Sequence, residues 1–235
     1  MAANILHKIL AAAGIAGFAV ASLPAAVHAG CTAAATCSAC GACSACAASA
    51  CNPCNPCNPC GAVEPVELTD AEAQAAYGCF KDTMQSGYAK SGLTSNMGLA
   101  IATAYQGWTR YTMRAYVSTH GGRFVHNYGN QAARGYGNFE DAGTMPVGAV
   151  LAKDSFVVRH GKRGAGPLFV MEKMAAGFNA DSGNWRYTLV MPGGKVIGIT
   201  NGAGSNNVEF CIGCHMAAED TDSMMFLPEE YRATF

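Results

Sequence analysis

The stretch LVMPGGKVIGI, residues 189–199, decides which kind of fold this sequence adopts. Two apolar, β-branched runs flank Pro192-Gly193-Gly194, and this pattern is a strong signal for a β-hairpin. Pro192 leaves the type of turn open, because proline fixes φ and removes a backbone donor. The stretch therefore predicts two antiparallel strands joined by a short turn.

Short runs of the same kind continue from this hairpin towards the N-terminus. They are β-branched or aromatic and are separated by turns rich in Gly, Pro and Asn, which is typical of an antiparallel sheet. The runs are RFVHNY (123–128), GAVLAKDSFVVRH (148–160), PLFVMEKM (167–174) and WRYTLVMP (185–192), followed by KVIGIT (195–200). They predict that most of the C-terminal half of the chain is antiparallel β-sheet.

A helix is predicted before these strands, in residues 68–92. Its apolar residues recur at helical spacing, and Thr69 with Glu72 forms a capping box at the start. Gly87 or Gly92 is expected to end it.

A second helix is predicted for residues 95–122, where Gly121-Gly122 would stop it. Cys79, in the first helix, is expected to be a buried structural thiol. A short helical segment is expected around the cysteines near the C-terminus. The predicted fold class is thus α+β, with one domain at residues 66–235 that is mainly antiparallel sheet with N-terminal helices.

The first 29 residues predict export. Lys8 precedes the apolar run Ile9–Leu23, and small residues follow, which is typical of a secretory signal peptide. A transmembrane anchor is the alternative, but the run is shorter than the roughly 20 residues that a bilayer helix needs. Lipoprotein anchoring at Cys31 is a further alternative, against which His28 argues. A bacterial periplasmic or otherwise exported location is expected.

Residues 30–65 form a segment of low complexity that is rich in Cys, Pro and Ala and is expected to be unstructured. Its CNP repeat would align four thiols along one edge of a polyproline II helix, which has three residues per turn. These thiols could bind a soft metal such as Cu(I) or Zn, or oxidise to disulfides. They belong to Cys51, Cys54, Cys57 and Cys60.

The charge of the chain is nearly balanced, with 15 basic and 16 acidic residues. Such a balance offers no basic field that would attract nucleic acid. No nucleic-acid partner is therefore expected.

The clearest chemical signal is CIGCH, residues 211–215. Cys211 and Cys214 have the spacing C-x-x-C and His215 follows, which is the attachment signature of c-type haem. The two thiols would link to the porphyrin, and His215 is placed to bind the iron from the proximal side. A structural zinc site or a redox disulfide is the alternative, but zinc needs further ligands. The pattern predicts one haem c per chain.

The sixth ligand of the iron is left open by spacing alone. A Met or His is usual in electron transfer, whereas an open position serves the binding of small molecules. Core packing is the expected role of the methionines, and solvent exposure or hydrogen bonding that of the histidines. The nominal candidates are Met171, Met174, Met216, Met224, Met225, His120, His126 and His160.

Several of these runs, taken together, resemble the cytochrome P460 family of periplasmic haem c proteins. The resemblance rests on the Gly-x-Val-x-x-Lys strand GAVLAKDSF, on GPLFVMEKM, NWRYTLVMPGGKV and FCIGCHMAAEDTD, and on LPEEYR near the end. HGGRFVHNYGN (120–130) is similar to a segment of some members. The resemblance covers Leu68 to the C-terminus and leaves out the cysteine-rich segment.

The resemblance implies a mainly antiparallel sheet with a few helices, often dimeric, and a five-coordinate haem with an open distal face. In enzymatic members a lysine is cross-linked to the haem, and its position corresponds to Lys153. Those members oxidise hydroxylamine with nitric oxide to nitrous oxide. Relatives similar to cytochrome c′-beta lack the lysine and bind diatomic gases. Arg123 falls in a segment that matches a distal-side strand of the family.

Three functions follow as hypotheses. The first is redox chemistry on small nitrogen species, the second a non-enzymatic haem protein that binds NO or transfers electrons, and the third a Cys-rich metal-binding or attachment protein with a haem domain. Whether the protein is an enzyme stays open. A small-molecule ligand, a soluble redox partner cytochrome and a homodimer are the expected partners.

The candidate side chains for proton transfer also have ordinary structural interpretations. Without the family, Lys153 would be an edge-strand lysine with its head in solvent. Asp154 and Glu172 are either proton-handling groups or partners in salt bridges. Any of the aromatic residues Phe156, Phe169, Trp185 and Tyr187 could form a haem wall.

Overall fold

The computed structural model describes residues 68–159 and 162–235. The helices of this part are α1 (Asp70–Ala89), α2 (Ile101–Ala104) and α3 (Glu209–His215). The strands are β1 (Thr109–Arg110), β2 (Tyr116–Ser118), β3 (Arg123–Gly129), β4 (Val150–Arg159), β5 (Lys162–Ala165), β6 (Leu168–Lys173), β7 (Trp185–Val190) and β8 (Val196–Ile199). The signal-peptide and low-complexity predictions, the four cysteines of the CNP repeat and His160 lie outside the described residues.

All eight strands belong to one antiparallel sheet. Its order is β1-β3-β4-β6-β7-β8, with β2 beside β3 and β5 beside β4. Strands β7 and β8 form the predicted hairpin, in whose turn Gly194 donates to the carbonyl of Met191 at 2.8 Å. Gly194 has φ 87°, a conformation that favours glycine. The predicted fold class, α+β with a mainly antiparallel sheet, is confirmed.

The sheet separates two apolar layers, because successive strand residues point to opposite faces. On one face, Phe80 and Tyr88 of α1 pack in the same cluster as Phe156 of β4. On the other face, Trp185 and Tyr187 pack in a cluster that also includes part of α3. The central strands therefore lie between α1 on one side and the haem-motif segment on the other.

Helix α1 begins as predicted. Thr69 Oγ1 accepts from the Glu72 N–H at 3.3 Å, and Glu72 Oε2 accepts from the Thr69 N–H at 2.9 Å. The helix runs through Gly87 and ends at Ala89, so Gly87 does not stop it. Although α1 has 20 residues, no helix in the described part of the chain is long and apolar enough to span a bilayer.

Cys79 differs from its expected state. It is half-buried at the border of the apolar side of α1, and it is disulfide-bonded. The expectation of a buried structural thiol is therefore wrong. The helical pattern did predict its element, but Cys79 follows an exposed residue and precedes the buried Phe80, so only part of its surface is covered.

The long second helix predicted for residues 95–122 is not formed. Only Ile101–Ala104 is α-helical, a short 3-10 turn follows it, and the rest contains β1 and β2. Tyr116 pairs across β3, and Gly121 and Gly122, with φ 79° and 63°, turn the chain from β2 into β3. Pairing in the sheet outweighs a weak helical pattern in a segment rich in aromatic and β-branched residues.

Candidate functional site

A cavity of about 360 Å³ lies between the second face of the sheet and α3. Strands β3, β4, β6 and β7 form its floor in two neighbouring rows, because cross-strand partners share a face. One row is Asn127, Lys153, Phe169 and Leu189, and the other is Leu151, Met171 and Tyr187. A mostly apolar lining with a few polar groups is usual in sites for cofactors and small molecules.

Helix α3 brings Cys211, Cys214 and His215 to the same cavity. Residues three and four positions apart lie on one side of a helix, so the C-x-x-C-H spacing turns all three towards the floor. Both cysteines are free thiols. Burial raises the pKa of Cys211 to about 11, so its thiol is protonated at neutral pH.

A structural zinc site has little support at this motif. Among residues 68–159 and 162–235, no group of three or more His, Cys, Asp and Glu side chains is arranged to hold a metal ion. Tetrahedral zinc sites usually take three or four protein ligands. The zinc alternative for CIGCH therefore lacks the ligands it needs within the described chain.

The His215 ring is held by one nitrogen. Its Nδ1 donates to the carbonyl oxygen of Ser223 at 2.8 Å, because a carbonyl can only accept. This leaves Nε2 with a lone pair. Burial lowers the pKa of His215 to about 4, and Lys153 adds to the effect. The neutral imidazole, with Nδ1 anchored, has the form that metal ligation requires.

Ser223 lies in a loop that is tied to the sheet through Asp222. The carboxylate of Asp222 pairs with Lys173 of β6 in a buried site and accepts the Met145 N–H at 2.8 Å. The backbone carbonyl oxygen of Asp222 accepts from the indole N–H of Trp185 at 2.7 Å. Sequence reasoning missed this support, because the group that holds His215 is a backbone carbonyl and leaves no side-chain signal.

Lys153 lies on the cavity floor, opposite Asn127 on β3 and Phe169 on β6. Burial lowers its pKa to about 8, and the Cys214 thiol opposes this shift. The alternative of an edge-strand lysine with its head in solvent is wrong, because β4 is a central strand and Lys153 lines the cavity. Arg123, at the start of β3, lines the same cavity.

The two candidate carboxylates lie elsewhere. Asp154 points to the opposite face of the sheet, where it accepts from the hydroxyls of Tyr77 and Tyr105 at 2.8 and 3.1 Å. Glu172 pairs with Arg186, the salt-bridge role considered as its alternative. Neither carboxylate lines the cavity.

The other named candidates divide between cavity and core. Of the aromatic residues, Phe169 and Tyr187 line the cavity, whereas Phe156 and Trp185 are core residues. Among the described candidates for a sixth ligand, the cavity takes His120, Met171, Met224 and Met225 but not His126, Met174 or Met216. Tyr136 and Phe210 also line the cavity but were not candidates from the sequence: Tyr136 lies outside the predicted strands, and Phe210 directly precedes the haem motif without being one of its residues.

A family model described as Cytochrome P460 matches residues 102–226, which is more than half of the 235 residues. The chain belongs to the cytochrome P460 family. The resemblance drawn from the sequence is thus confirmed over a shorter range than Leu68 to the C-terminus. No curated protein matches the chain closely enough to be reported as a relative.

Membership of the cytochrome P460 family implies a haem cofactor, and the residues of the cavity fit that group. The floor offers flat apolar and aromatic surface, and His215 offers an uncommitted Nε2. The two free thiols of α3 border the same space. Lys153 and Arg123 also line the cavity, where they could pair with an acidic group of the haem or with a bound anion.

Proposed function

We propose that this member of the cytochrome P460 family is an exported mono-haem c protein that oxidises hydroxylamine with nitric oxide to nitrous oxide. The observation that carries the proposal is the arrangement of His215, which faces the cavity with Nδ1 anchored on Ser223 and follows two free thiols. Lys153 on the cavity floor favours this enzymatic function over mere binding of NO or electron transfer.

Cys211 and Cys214 would hold the haem covalently. Each thiol would form one C–S bond to the porphyrin, and Nε2 of His215 would bind the iron. When bound, the haem supplies one-electron redox chemistry at an iron that a small molecule can reach.

The surrounding residues would control protons and water. Hydroxylamine and nitric oxide give nitrous oxide, water, one proton and one electron, so a proton acceptor and an electron acceptor are both needed. Lys153 is the candidate for the haem cross-link; as the free amine, whose pKa burial lowers to about 8, it would exchange a proton at Nζ near neutral pH. A soluble cytochrome would take the electron. The apolar floor, with Phe169 and Leu189, keeps bulk water away.

Export and assembly are part of the same proposal. Residues 1–29 would direct the chain to the periplasm, where haem c proteins acquire their haem, and a homodimer is the expected assembly. The row of Cys51, Cys54, Cys57 and Cys60 stays a prediction, as either a disulfide-forming or a soft-metal-binding tether.

The substitution Lys153→Met tests the enzymatic function. We expect the full-length protein, produced with haem c maturation, to keep the mass of one haem after denaturation, in the wild type and in the variant alike. Hydroxylamine oxidation should fall at least about 100-fold in Lys153→Met, because the amine that exchanges protons is lost. Intact mass, the ferrous Soret position and the hydroxylamine-dependent reduction of an electron acceptor are the measurements.

The matched control is Lys195→Met, which removes an exposed lysine in the β7–β8 turn and should leave the activity unchanged. A wild-type protein with covalent haem but without hydroxylamine oxidation would contradict the enzymatic proposal and leave NO binding or electron transfer. A protein without covalent haem would contradict the haem c proposal itself.

A further inference from the structure

We propose that His120 is the second axial ligand of the haem iron in the resting protein, and that a small molecule reaches the iron only after His120 has moved away. This inference rests on the proposed function, because it requires a haem bound by His215. It differs from the open distal face that the family resemblance implies, because a residue of this chain would close that face.

The spacing between two histidine rings carries the inference. His120 lies between β2 and β3 and lines the same cavity as His215, and the centroids of the two rings are 6.2 Å apart. A ring nitrogen lies about 1 Å from the centroid of its own ring and binds a metal at about 2.0–2.1 Å, so two imidazoles on opposite sides of one metal have centroids about 6 Å apart. The gap therefore suits one metal atom, without a further molecule in between.

The two rings are also each held at Nδ1. The Nδ1 of His120 lies 2.9 Å from Ser118 Oγ, just as the Nδ1 of His215 lies 2.8 Å from the carbonyl oxygen of Ser223. In the described part of the chain, the hydrogen bond that holds each ring is made by Nδ1 and not by Nε2. An imidazole held at Nδ1 and uncommitted at Nε2 is the usual state of a metal-binding histidine.

Packing fixes the tilt of the His120 ring. Phe169, on the cavity floor, contacts it with a centroid distance of 4.6 Å. Tyr187 packs against the His215 ring in a similar way, at 5.2 Å. Each imidazole thus has an aromatic neighbour from the floor, which restrains its rotation without occupying its Nε2.

Other candidate ligands are less well placed. His126 packs against Tyr77 of α1 on the opposite face of the sheet, and its Nδ1 is hydrogen-bonded to Thr112 Oγ1 at 2.7 Å. Met224 directly follows Ser223, whose carbonyl holds His215, so it lies on the side of the cavity that His215 already occupies. His120 comes from a different part of the chain and approaches from another side.

The turn that carries His120 allows the ring to leave. Ser118, the last residue of β2, holds the ring from two residues before it, so release of His120 would break this hydrogen bond. Gly121 and Gly122 follow immediately, with φ 79° and 63°. Glycines adopt such conformations at little cost and can change them when the turn shifts. Release of His120 would then limit how fast a small molecule binds.

The test compares the wild-type holoprotein with His120→Gly. The ferric wild type should be six-coordinate and low-spin by absorption and electron paramagnetic resonance, and the variant should be high-spin. Added imidazole should restore the low-spin spectrum in the variant, because it fills the space that the missing side chain leaves. In stopped flow, the rate of cyanide binding should level off with cyanide concentration in the wild type and stay linear in the variant.

Two further variants sharpen the result. Ser118→Ala keeps His120 but removes the partner of Nδ1, so the plateau rate of cyanide binding should rise about 3- to 10-fold, as expected for the loss of one hydrogen bond. Val117→Ala, an exposed position on β2, is the control and should behave as the wild type. If His120→Gly does not fold, His120→Gln should give the same high-spin spectrum.

The haem mass separates two kinds of failure. A wild type without covalent haem defeats the proposed function and, with it, this inference. A wild type that holds covalent haem but is high-spin and five-coordinate overturns the role of His120 alone. A low-spin spectrum that persists in both His120→Gly and His120→Gln would also overturn the role of His120.

Discussion

Asp154 is next to Lys153 in the sequence, yet the two side chains serve opposite faces of β4. Its Oδ2 accepts from Tyr77 and Tyr105, whereas Oδ1 is buried without a hydrogen-bond partner among the described residues. Nε2 of His126, the cross-strand neighbour of Asp154 on β3, is also buried without a hydrogen-bond partner among these residues. Burial raises the pKa of Asp154 to about 7, although the tyrosine hydrogen bonds oppose the shift. A protonated Asp154 could donate from its unpartnered oxygen.

This carboxyl should make stability fall as the pH rises. An unfolded Asp loses its proton near pH 4, whereas folded Asp154 keeps it up to about pH 7. The folded state therefore binds more protons between these values, and the free energy of unfolding should decline there by about 1.4 kcal/mol per pH unit. Asp154→Asn, which does not titrate, should remove this contribution. Denaturant unfolding of the ferric holoprotein from pH 4 to pH 8 measures the difference between the two proteins.

The comparison of the two proteins is needed because a buried histidine changes stability with pH in the opposite direction. Burial lowers the pKa of His126 to about 3, so this histidine reduces stability as the pH falls below about 6.5. Both proteins share His126, and the difference curve isolates Asp154. A difference that is flat from pH 4 to pH 7 would contradict the raised pKa.

At the residue scale, the sequence could predict Cys211, Cys214 and His215 because covalent attachment fixes their spacing. It could not predict the distance from His120 to His215, which depends on how the β2–β3 turn and α3 meet at the same cavity. Nor could the sequence predict that the carbonyl of Ser223 holds His215, since any residue type can supply a backbone oxygen.

Among the elements, α1 and the β7–β8 hairpin meet at a glycine. A methyl group at Gly87 would overlap the carbonyl oxygen of Pro192 in the hairpin turn. The sequence marked Gly87 only as a possible end of the helix. Its actual role is to let the last turns of α1 approach the hairpin, which the local helical pattern could not reveal. The capping box and the hairpin were predictable, because each is encoded by neighbouring residues.

The pair Gly87→Ala and Gly78→Ala tests this contact. Alanine at Gly87 should lower the free energy of unfolding by about 1–3 kcal/mol, because the helix and the turn must move apart. Gly78 lies on the same helix with no atom within 4 Å of the added methyl, so alanine there should stabilise by about 0.5–1 kcal/mol. Urea unfolding measures both. Equal effects at the two positions would show that Gly87 is not in a tight contact.

At the scale of the whole molecule, a buried ion pair links the sheet to the loop that holds His215. Lys173 of β6 pairs with Asp222 in a buried site, and Asp222 directly precedes Ser223. Removal of one partner of a buried ion pair leaves an unpaired buried charge. The ion pair between Lys173 and Asp222 therefore joins the cavity floor to the loop whose Ser223 carbonyl holds His215.

Asp222→Ala should lower the free energy of unfolding by about 3–5 kcal/mol. It should also alter the haem spectrum, because Ser223 loses its fixed position. The comparison is Glu140→Ala, which breaks the more exposed pair with Arg232 and should cost about 0–1 kcal/mol without a spectral change. Unfolding and absorption spectra are measured on the same samples. A similar small cost for both variants would argue against the role given to Asp222.

The alternation of Lys153 and Asp154 along β4 also restricts how the length of this chain can vary in evolution. Deletion of one residue within β4 would turn the carboxylate towards the cavity and the lysine into the tyrosine layer, because side chains alternate with a period of two. Neighbouring strands on both sides of β4 leave no edge where such a shift could be absorbed. Insertions and deletions among homologues should therefore fall in connections such as residues 174–184, while β4 keeps its length.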